Sequence, residues 1–172
     1  MTTPVRVLDA CAAGRDADAG ALIFEYMAAT QVELGRPAPA AVDELSASLR
    51  DECRNPALAY RAPGVFLVAY RDDTPVGCVG LKPVPGTDAA EIKRLYARPA
   101  HRGGVGRILM HHAHEHAELN GFARLVLDVM PQRRQVIDLY RRLGYTDAGT
   151  SARYSSPMLS MERRVCPSGA LG

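Results

Sequence analysis

His101-Arg102-Gly103-Gly104-Val105-Gly106-Arg107 is the stretch on which the reading of this chain turns. An extended segment over 91–97 precedes it, and a helical segment from 105 to about 120 follows. Glycines at a strand-to-helix junction let backbone approach a ligand closely, because no Cβ stands in the way. The start of the following helix offers unpaired N–H groups and the positive end of a dipole. Together these make an anion site suited to a phosphate or pyrophosphate. Arg102 and Arg107 add fixed charge beside it. The turn therefore predicts a phosphorylated ligand.

Working outward, strands are expected over 65–70 and 76–81, joined by a turn over 71–75 into a hairpin. A Pro- and Gly-rich turn over 83–88 leads to a third strand over 90–97. After the helix, Asn120-Gly121 has the composition of a C-cap. The run 124–129 is apolar and β-prone, and 132–143 is an amphipathic helix with Val136, Leu139, Tyr140 and Leu143 on one side. The stretch 156–165 supplies a last strand. Upstream, 5–8 reads as a strand and 16–33 as a helix carrying Leu22, Ile23, Tyr26 and Met27. A more polar helix over 40–53 follows, with Val42, Leu45 and Leu49 as its stripe, broken by Asn55-Pro56. The predicted order is β-α-α-β-β-β-α-β-α-β. This is an α/β (α+β) fold with a single mixed, mostly antiparallel central sheet and helices on both faces. One domain over 1–166 is expected, with a disordered tail over 167–172.

Bulk properties narrow the function. At 172 residues the chain suits one domain with a core that needs no disulfide staples. A net charge of +2 spread along the chain argues against a dedicated nucleic-acid binder. The absence of Trp leaves no evident base-stacking platform. No run approaches the ~20 apolar residues of a membrane span, and no apolar leader opens the chain. A cytoplasmic location is the expectation. Cys11, Cys53, Cys78 and Cys166 form no C-x-x-C pair, as befits free thiols in a reducing compartment. Cys78 reads as a buried thiol rather than a nucleophile. His112 and His116 share a helix face at i, i+4, but no third ligand has clear spacing, so no metal is expected.

Three ligands compete for the glycine turn. A P-loop would need G-x-x-x-x-G-K-[ST], and no Lys-Ser or Lys-Thr follows. A dinucleotide fold would need G-x-G-x-x-G after the first strand, whereas this turn follows several. The third is the pyrophosphate of an acyl-coenzyme A, whose loop belongs after a long strand in the middle of a mixed sheet.

Four segments resemble the GNAT superfamily of N-acetyltransferases. Glu91-Ile92-Lys93-Arg94-Leu95-Tyr96-Ala97-Arg98-Pro99 is similar to the family's central strand and its following Pro. Arg102-Gly103-Gly104-Val105-Gly106-Arg107-Ile108-Leu109 is similar to its R-G-x-G-I-G-x-x-L loop and helix. Leu125-Val126-Leu127-Asp128-Val129 resembles the strand that splays from the central one. Val136-Ile137-Asp138-Leu139-Tyr140-Arg141-Arg142-Leu143-Gly144-Tyr145 is close to A-I-x-L-Y-x-x-x-G-F/Y. The similarity runs from about 65 to 165. Two departures stand out. Arg102-Gly103 runs directly into Gly104-Val105-Gly106, so either the loop is tighter by one residue or His101 takes the leading position. Arg133 stands where the family often has an Asn facing the pantetheine region.

The resemblance implies transfer of an acetyl group from acetyl-CoA to a primary amine of a small molecule or amino acid. It implies cofactor contacts from Leu95, Tyr96 and Ala97, from Arg102, Gly103, Gly104, Val105, Gly106 and Arg107, and from Arg133. It also implies Glu91 as the base, Tyr140 as the acid that protonates the departing thiolate, and the Leu95 N–H as the carbonyl polariser. Period-two alternation puts Glu91, Lys93, Leu95 and Ala97 on one strand face. A protein N-terminal or lysine acetyltransferase and a non-catalytic acyl-CoA-binding regulator are the alternatives. Acceptor specificity is expected from 31–41 and 150–156, with Glu25, Tyr26, Glu33, Arg36 and Tyr154 as lining candidates. The two acids suit a cationic amine and Arg36 a carboxylate, so the acceptor stays open. Family members often pair, which implies a homodimer rather than a monomer.

Overall fold

The computed structural model describes residues 3–151 and 153–166. The expected disordered tail, 167–172, lies outside them. The chain divides into two compact units, Met1–Lys82 with Lys93–Ala113, and Pro83–Ile92 with His114–Gly172.

The first unit opens with β1 (Val5–Asp9) and α1 (Asp16–Glu33). A 3-10 turn (Val42–Glu44), α2 (Ala47–Arg54) and α3 (Pro56–Ala59) follow, then β2 (Val65–Arg71) and β3 (Thr74–Pro83). The unit also takes the second part of β4 (Ala89–Ala97) and the first part of α4 (Val105–Leu119). β1 and β3 both run antiparallel to β2, with Val5 opposite Arg71 and Val65 opposite Leu81. β2 is buried from Val65 to Tyr70, which is why its apolar run does not alternate. Phe66, Val68 and Tyr70 pack into one core with Leu22, Ile23 and Met27 of α1. Each such fully buried side chain contributes ~1.5–3 kcal/mol.

The second unit holds the first part of β4, the end of α4, β5 (Arg124–Val129), α5 (Arg134–Arg142), β6 (Thr146–Ser151) and β7 (Met158–Arg164). β4 and β5 pair parallel, with Glu91 opposite Val126. β5 and β6 each pair antiparallel with β7. The strands hydrogen-bond in the order β1-β2-β3-β4-β5-β7-β6, a single mixed seven-stranded sheet. The α/β class and the mixed sheet are as expected.

Several elements depart from the expected order, among them the short α3, which was not expected. The helix expected over 40–53 is interrupted at Leu45, whose ψ of 161° is extended, and Ser46 opens α2. This break lets Leu45 bury to 8% exposure, and an ion pair from Arg54 to Asp43 ties α2 back to the 3-10 turn. β6 was not expected at all. Thr146-Asp147-Ala148-Gly149-Thr150-Ser151 carries no apolar alternation, because it is an exposed edge strand. Gly149 at φ +100° also disturbs its register with β7.

One buried charge organises the first unit. Glu52 on α2 is 7% exposed. Arg94 donates to it from Nε and Nη2, both at 2.9 Å, and Tyr60 donates its hydroxyl at 2.6 Å. Gly80 makes room for the Tyr60 ring, since a Cβ there would lie 2.3 Å from Cε1. Burial by itself would raise the Glu52 pKa; the hydrogen bond and charge of Arg94, with smaller help from Tyr60 and Lys82, hold it below the ordinary value instead. A lowered folded pKa means stability that is present above the unfolded pKa and lost as pH falls through the folded value. Glu52→Gln should therefore cost ~3 kcal/mol at neutral pH, since it leaves a buried guanidinium uncompensated. Urea unfolding of both proteins should show that gap narrowing toward acid pH. A gap independent of pH would mean that the carboxylate charge is not what stabilises.

Candidate active site

Within the first unit the glycine turn has the predicted form. Gly103 (φ +101°) and Gly104 (φ +99°) are left-handed, and space for a Cβ is open at both. α4 begins at Val105, and Ile108 donates to the Gly104 carbonyl at 3.0 Å. The N–H groups of Val105, Gly106 and Arg107 therefore start the helix with no partner on its own ladder. Gly77 on β3 permits the close approach behind them; a Cβ there would lie 2.7 Å from the Tyr96 carbonyl and 2.9 Å from Val105 Cγ1. Arg102 and Arg107 are exposed beside the turn. His101 Nδ1 is buried with no hydrogen-bond partner among the described residues. A diphosphate fits this arrangement of free N–H groups, open backbone and flanking cations.

Leu95, Tyr96 and Ala97 are half-buried on β4. Tyr96 meets Tyr26 edge-on, with centroids 6.4 Å apart. Burial, then the charge of Glu25, pushes its phenol pKa up. The single face proposed for 91–97 does not hold, because Arg94 at φ +58° interrupts the alternation. Glu25, one of the acceptor-lining candidates, is engaged by Arg98 Nη2 at 2.6 Å and Nε at 3.0 Å.

Within the second unit Glu91 pairs with neither Lys93 nor Arg94. Its Oε1 accepts from Arg153 Nη2 at 3.0 Å, and the same Nη2 donates to Asp128 Oδ2 at 2.7 Å. Ser160 donates its hydroxyl to Asp128 Oδ1 at 2.6 Å. The topology builds this group. Parallel pairing sets Glu91 beside Val126, alternation brings Asp128 back to the face of Val126, and antiparallel pairing sets Ser160 opposite Asp128. The two carboxylate side chains are 13% and 8% exposed, whereas Arg153 is 62% exposed. Burial would raise the Asp128 pKa; hydrogen bonds from Ser160 and Arg153 bring it below the ordinary range.

Tyr140 is buried on α5, its ring 5.6 Å from that of Tyr145, whose hydroxyl lies 2.9 Å from His114 Nε2. Arg133 caps the start of α5 and is half-buried. A separate cleft of about 460 Å³ is lined by Arg134, Ile137, Asp138, Arg141, Met158 and Leu159 among others. Neither Glu91 nor Tyr140 lines it. Among the described residues, no three His, Cys, Asp or Glu side chains gather as a metal would need. No helix among them is long and apolar enough to cross a membrane.

Asp128 and Arg153 were not singled out from the sequence. Asp128 could have been found as the lone charge in an otherwise apolar strand, Leu-Val-Leu-Asp-Val. Arg153 carries no such signal, since it lies in a Ser-rich connection and acts across 62 residues on Glu91.

The comparisons with known proteins agree with this architecture. The family model described as acetyltransferase (GNAT) family matches residues 30–145. The chain belongs to the GNAT acetyltransferase family and is an acyltransferase. An uncharacterised N-acetyltransferase of Schizosaccharomyces pombe is 36% identical over 112 residues, 63% of this chain and 67% of the relative. An IAA acetyltransferase of Azospirillum brasilense is 34% identical over 56% of this chain and 63% of its own length. Among solved structures, a nourseothricin acetyltransferase superposes with TM-score 0.57 at 31% identity, over 61% of this chain and 67% of that one. A GNAT-family acetyltransferase from Staphylococcus aureus superposes with TM-score 0.72 over 95% of this chain and all of that one, at 11% identity, a likeness of fold alone.

The Asp128 group makes a physical prediction of its own. Ser160→Ala removes one of the bonds that stabilise the ionised carboxylate, so the Asp128 titration observed by NMR should move up. Stability at neutral pH should fall by ~1 kcal/mol. An unmoved titration would mean that Ser160 does not hold the carboxylate in solution.

Proposed function

We propose that the chain transfers an acetyl group from acetyl-CoA to a primary amine of a small molecule. The observation that carries this reading is the pair of left-handed glycines opening α4, with their free N–H groups and open backbone. Family membership supports acetyl-CoA as the donor. A small acceptor is supported by the names of relatives, an IAA acetyltransferase and a streptothricin acetyltransferase of Streptomyces lavendulae, the latter 39% identical over 34% of this chain and 31% of its own.

Each residue then has a defined task. Gly103 and Gly104 give the cofactor's diphosphate access to backbone, and the N–H groups of Val105 to Arg107 with Arg102 and Arg107 offset its charge. Arg133 and the backbone of Leu95 to Ala97 take the pantetheine arm, and the Leu95 N–H polarises the thioester carbonyl. Acetyl-CoA supplies the acetyl group and a thiolate leaving group. Glu91 removes a proton from the acceptor ammonium, so that its nitrogen lone pair is free to form the N–C bond. Arg153 engages only Oε1; Oε2 accepts no hydrogen bond among the described residues and is the atom that takes this proton. As the C–S bond breaks, the Tyr140 hydroxyl gives its proton to sulfur, and the tyrosinate regains one from the nitrogen, which sheds its extra proton on becoming the amide. A phenol hydroxyl can act as a general acid toward a departing thiolate.

A panel of primary amines offered with acetyl-CoA, following release of free thiol, tests the reading. Glu91→Gln and Tyr140→Phe should each lower kcat by roughly 10²-fold or more while CoA binding stays intact. Gly104→Ala should instead weaken CoA binding by about tenfold, with ~1–2 kcal/mol of backbone strain added. Unchanged turnover in Tyr140→Phe would remove it as the acid, and unchanged CoA affinity in Gly104→Ala would remove the turn from the cofactor site.

A further inference from the structure

The glycine turn has two residues at its centre that no packing holds. Beyond their own chain neighbours, no atom among the described residues lies within 4 Å of where a Cβ would stand on Gly103 or Gly104. Glycine keeps many backbone conformations within reach, so the aim of the following N–H groups has to be set from the flanks of the turn. From the hydrogen bonds on its leading flank, we infer that Arg98 is the residue that positions the turn for the cofactor's diphosphate, and that Glu25 braces Arg98 rather than lining the acceptor site. This inference rests on the acetyl-CoA reading and adds two residues to its cofactor site.

Three consecutive residues of β3 carry both ends of the turn. Arg98 donates its N–H to the Val76 carbonyl at 2.9 Å and its Nη1 to the Pro75 carbonyl at 2.7 Å. Gly77, the next residue, is the one whose missing side chain admits Val105 at the far end. From Arg98 the chain enters a 3-10 turn, Pro99–His101, in which His101 donates its N–H to the Arg98 carbonyl at 2.8 Å. The main chain on either side of Arg98 is therefore bonded before the glycines begin.

The other two guanidinium nitrogens go to α1. Nε and Nη2 meet the two carboxylate oxygens of Glu25 at 3.0 and 2.6 Å, a fork-to-fork pairing that fixes direction as well as distance. The helix is a firm anchor, since Leu22 and Ile23 on it are fully buried. One side chain thus ties β3, α1 and the start of the turn together. Lysine could bring the charge but not the planar fork. Glu25 in turn has both oxygens engaged and its charge matched one to one, which leaves little to draw an acceptor ammonium. At 29% and 33% exposure the pair adds little to stability, so its effect belongs in cofactor affinity more than in unfolding. Arg98 acts through the backbone it holds and is a positioning residue, not a catalytic one.

The test compares two acetyl donors, acetyl-CoA and S-acetylpantetheine, which lacks the diphosphate and the nucleotide. The readouts are kcat/KM for each donor with the best acceptor of the amine panel, and calorimetric binding of CoA. Arg98→Gln should weaken CoA binding roughly tenfold and lower kcat/KM for acetyl-CoA to match, through KM, while kcat/KM for S-acetylpantetheine stays within about twofold of wild type. Arg98→Lys should recover part of the loss. Glu25→Gln, whose amide still accepts from one nitrogen, should show the same selective loss at a smaller size, with a urea midpoint close to that of the wild type. A loss shared equally by both donors overturns the inference, because it would mark Arg98 as general packing. Unchanged CoA affinity in Arg98→Gln overturns it as well. So does a Glu25→Gln variant that raises the KM of the amine and spares CoA, which would return Glu25 to the acceptor wall. If CoA affinity follows the variants but neither donor acetylates any amine, the positioning assignment stands and acetyl transfer falls. If acetylation proceeds and CoA affinity does not move, the reverse holds.

Discussion

A guanidinium held by a buried carboxylate fixes the conformation of β4. Arg94 has φ +58° inside a strand, a region that costs a residue with a Cβ ~1–3 kcal/mol. Its side chain is clamped in bidentate fashion by Glu52, its guanidinium carbon lies 5.7 Å from the centre of the Tyr26 ring, and its carbonyl accepts from Cys78 Sγ at 3.3 Å. Side chain and main chain are thus both held, and charge-assisted bonds in a dry setting can offset the strain. Tyr60 closes the arrangement on its far side, and its place depends in turn on the missing side chain of Gly80. The only other positive-φ residue with a side chain among those described, Asp72, sits in a hairpin turn where such a conformation is ordinary.

That constraint falls between the two stretches of β4 to which the proposed function assigns tasks. Glu91 precedes Arg94, and the backbone of Leu95 to Ala97 follows it. Alternation applies on either side of a left-handed residue but not across it, so the two stretches do not share one regular strand face.

Local signals in the sequence were strong where periodicity and turn chemistry agree. The helix expected over 16–33 and the strand expected over 124–129 have the observed bounds, Asp16–Glu33 and Arg124–Val129. The glycine turn was equally readable, since two adjacent left-handed positions before a helix call for glycine. The interruption at Arg94 was not, because arginine gives no hint of a positive φ and the cause lies 42 residues away in Glu52. β6 escaped for a related reason: an exposed edge strand is held by its partner's backbone and not by an apolar face of its own. Of the candidate site residues, Glu91 and Tyr140 were singled out through the motifs around them. Asp128 and Arg153 meet only through strand pairing and a long-range ion pair, which no window of sequence contains.

Two of the ionic groups among the described residues, Glu52 with Arg94 and Glu91 with Asp128 and Arg153, differ in kind. Glu52 and Arg94 are matched one to one, both largely out of water, with every carboxylate oxygen bonded. Such a pair has no charge left to offer a ligand, and its value is the backbone it holds in place. Glu91, Asp128 and Arg153 are unmatched in charge, open on the side of the cation, and leave one carboxylate oxygen without a partner among the described residues. Two nearly buried carboxylates that share one guanidinium nitrogen repel each other, and Arg153 offsets that repulsion.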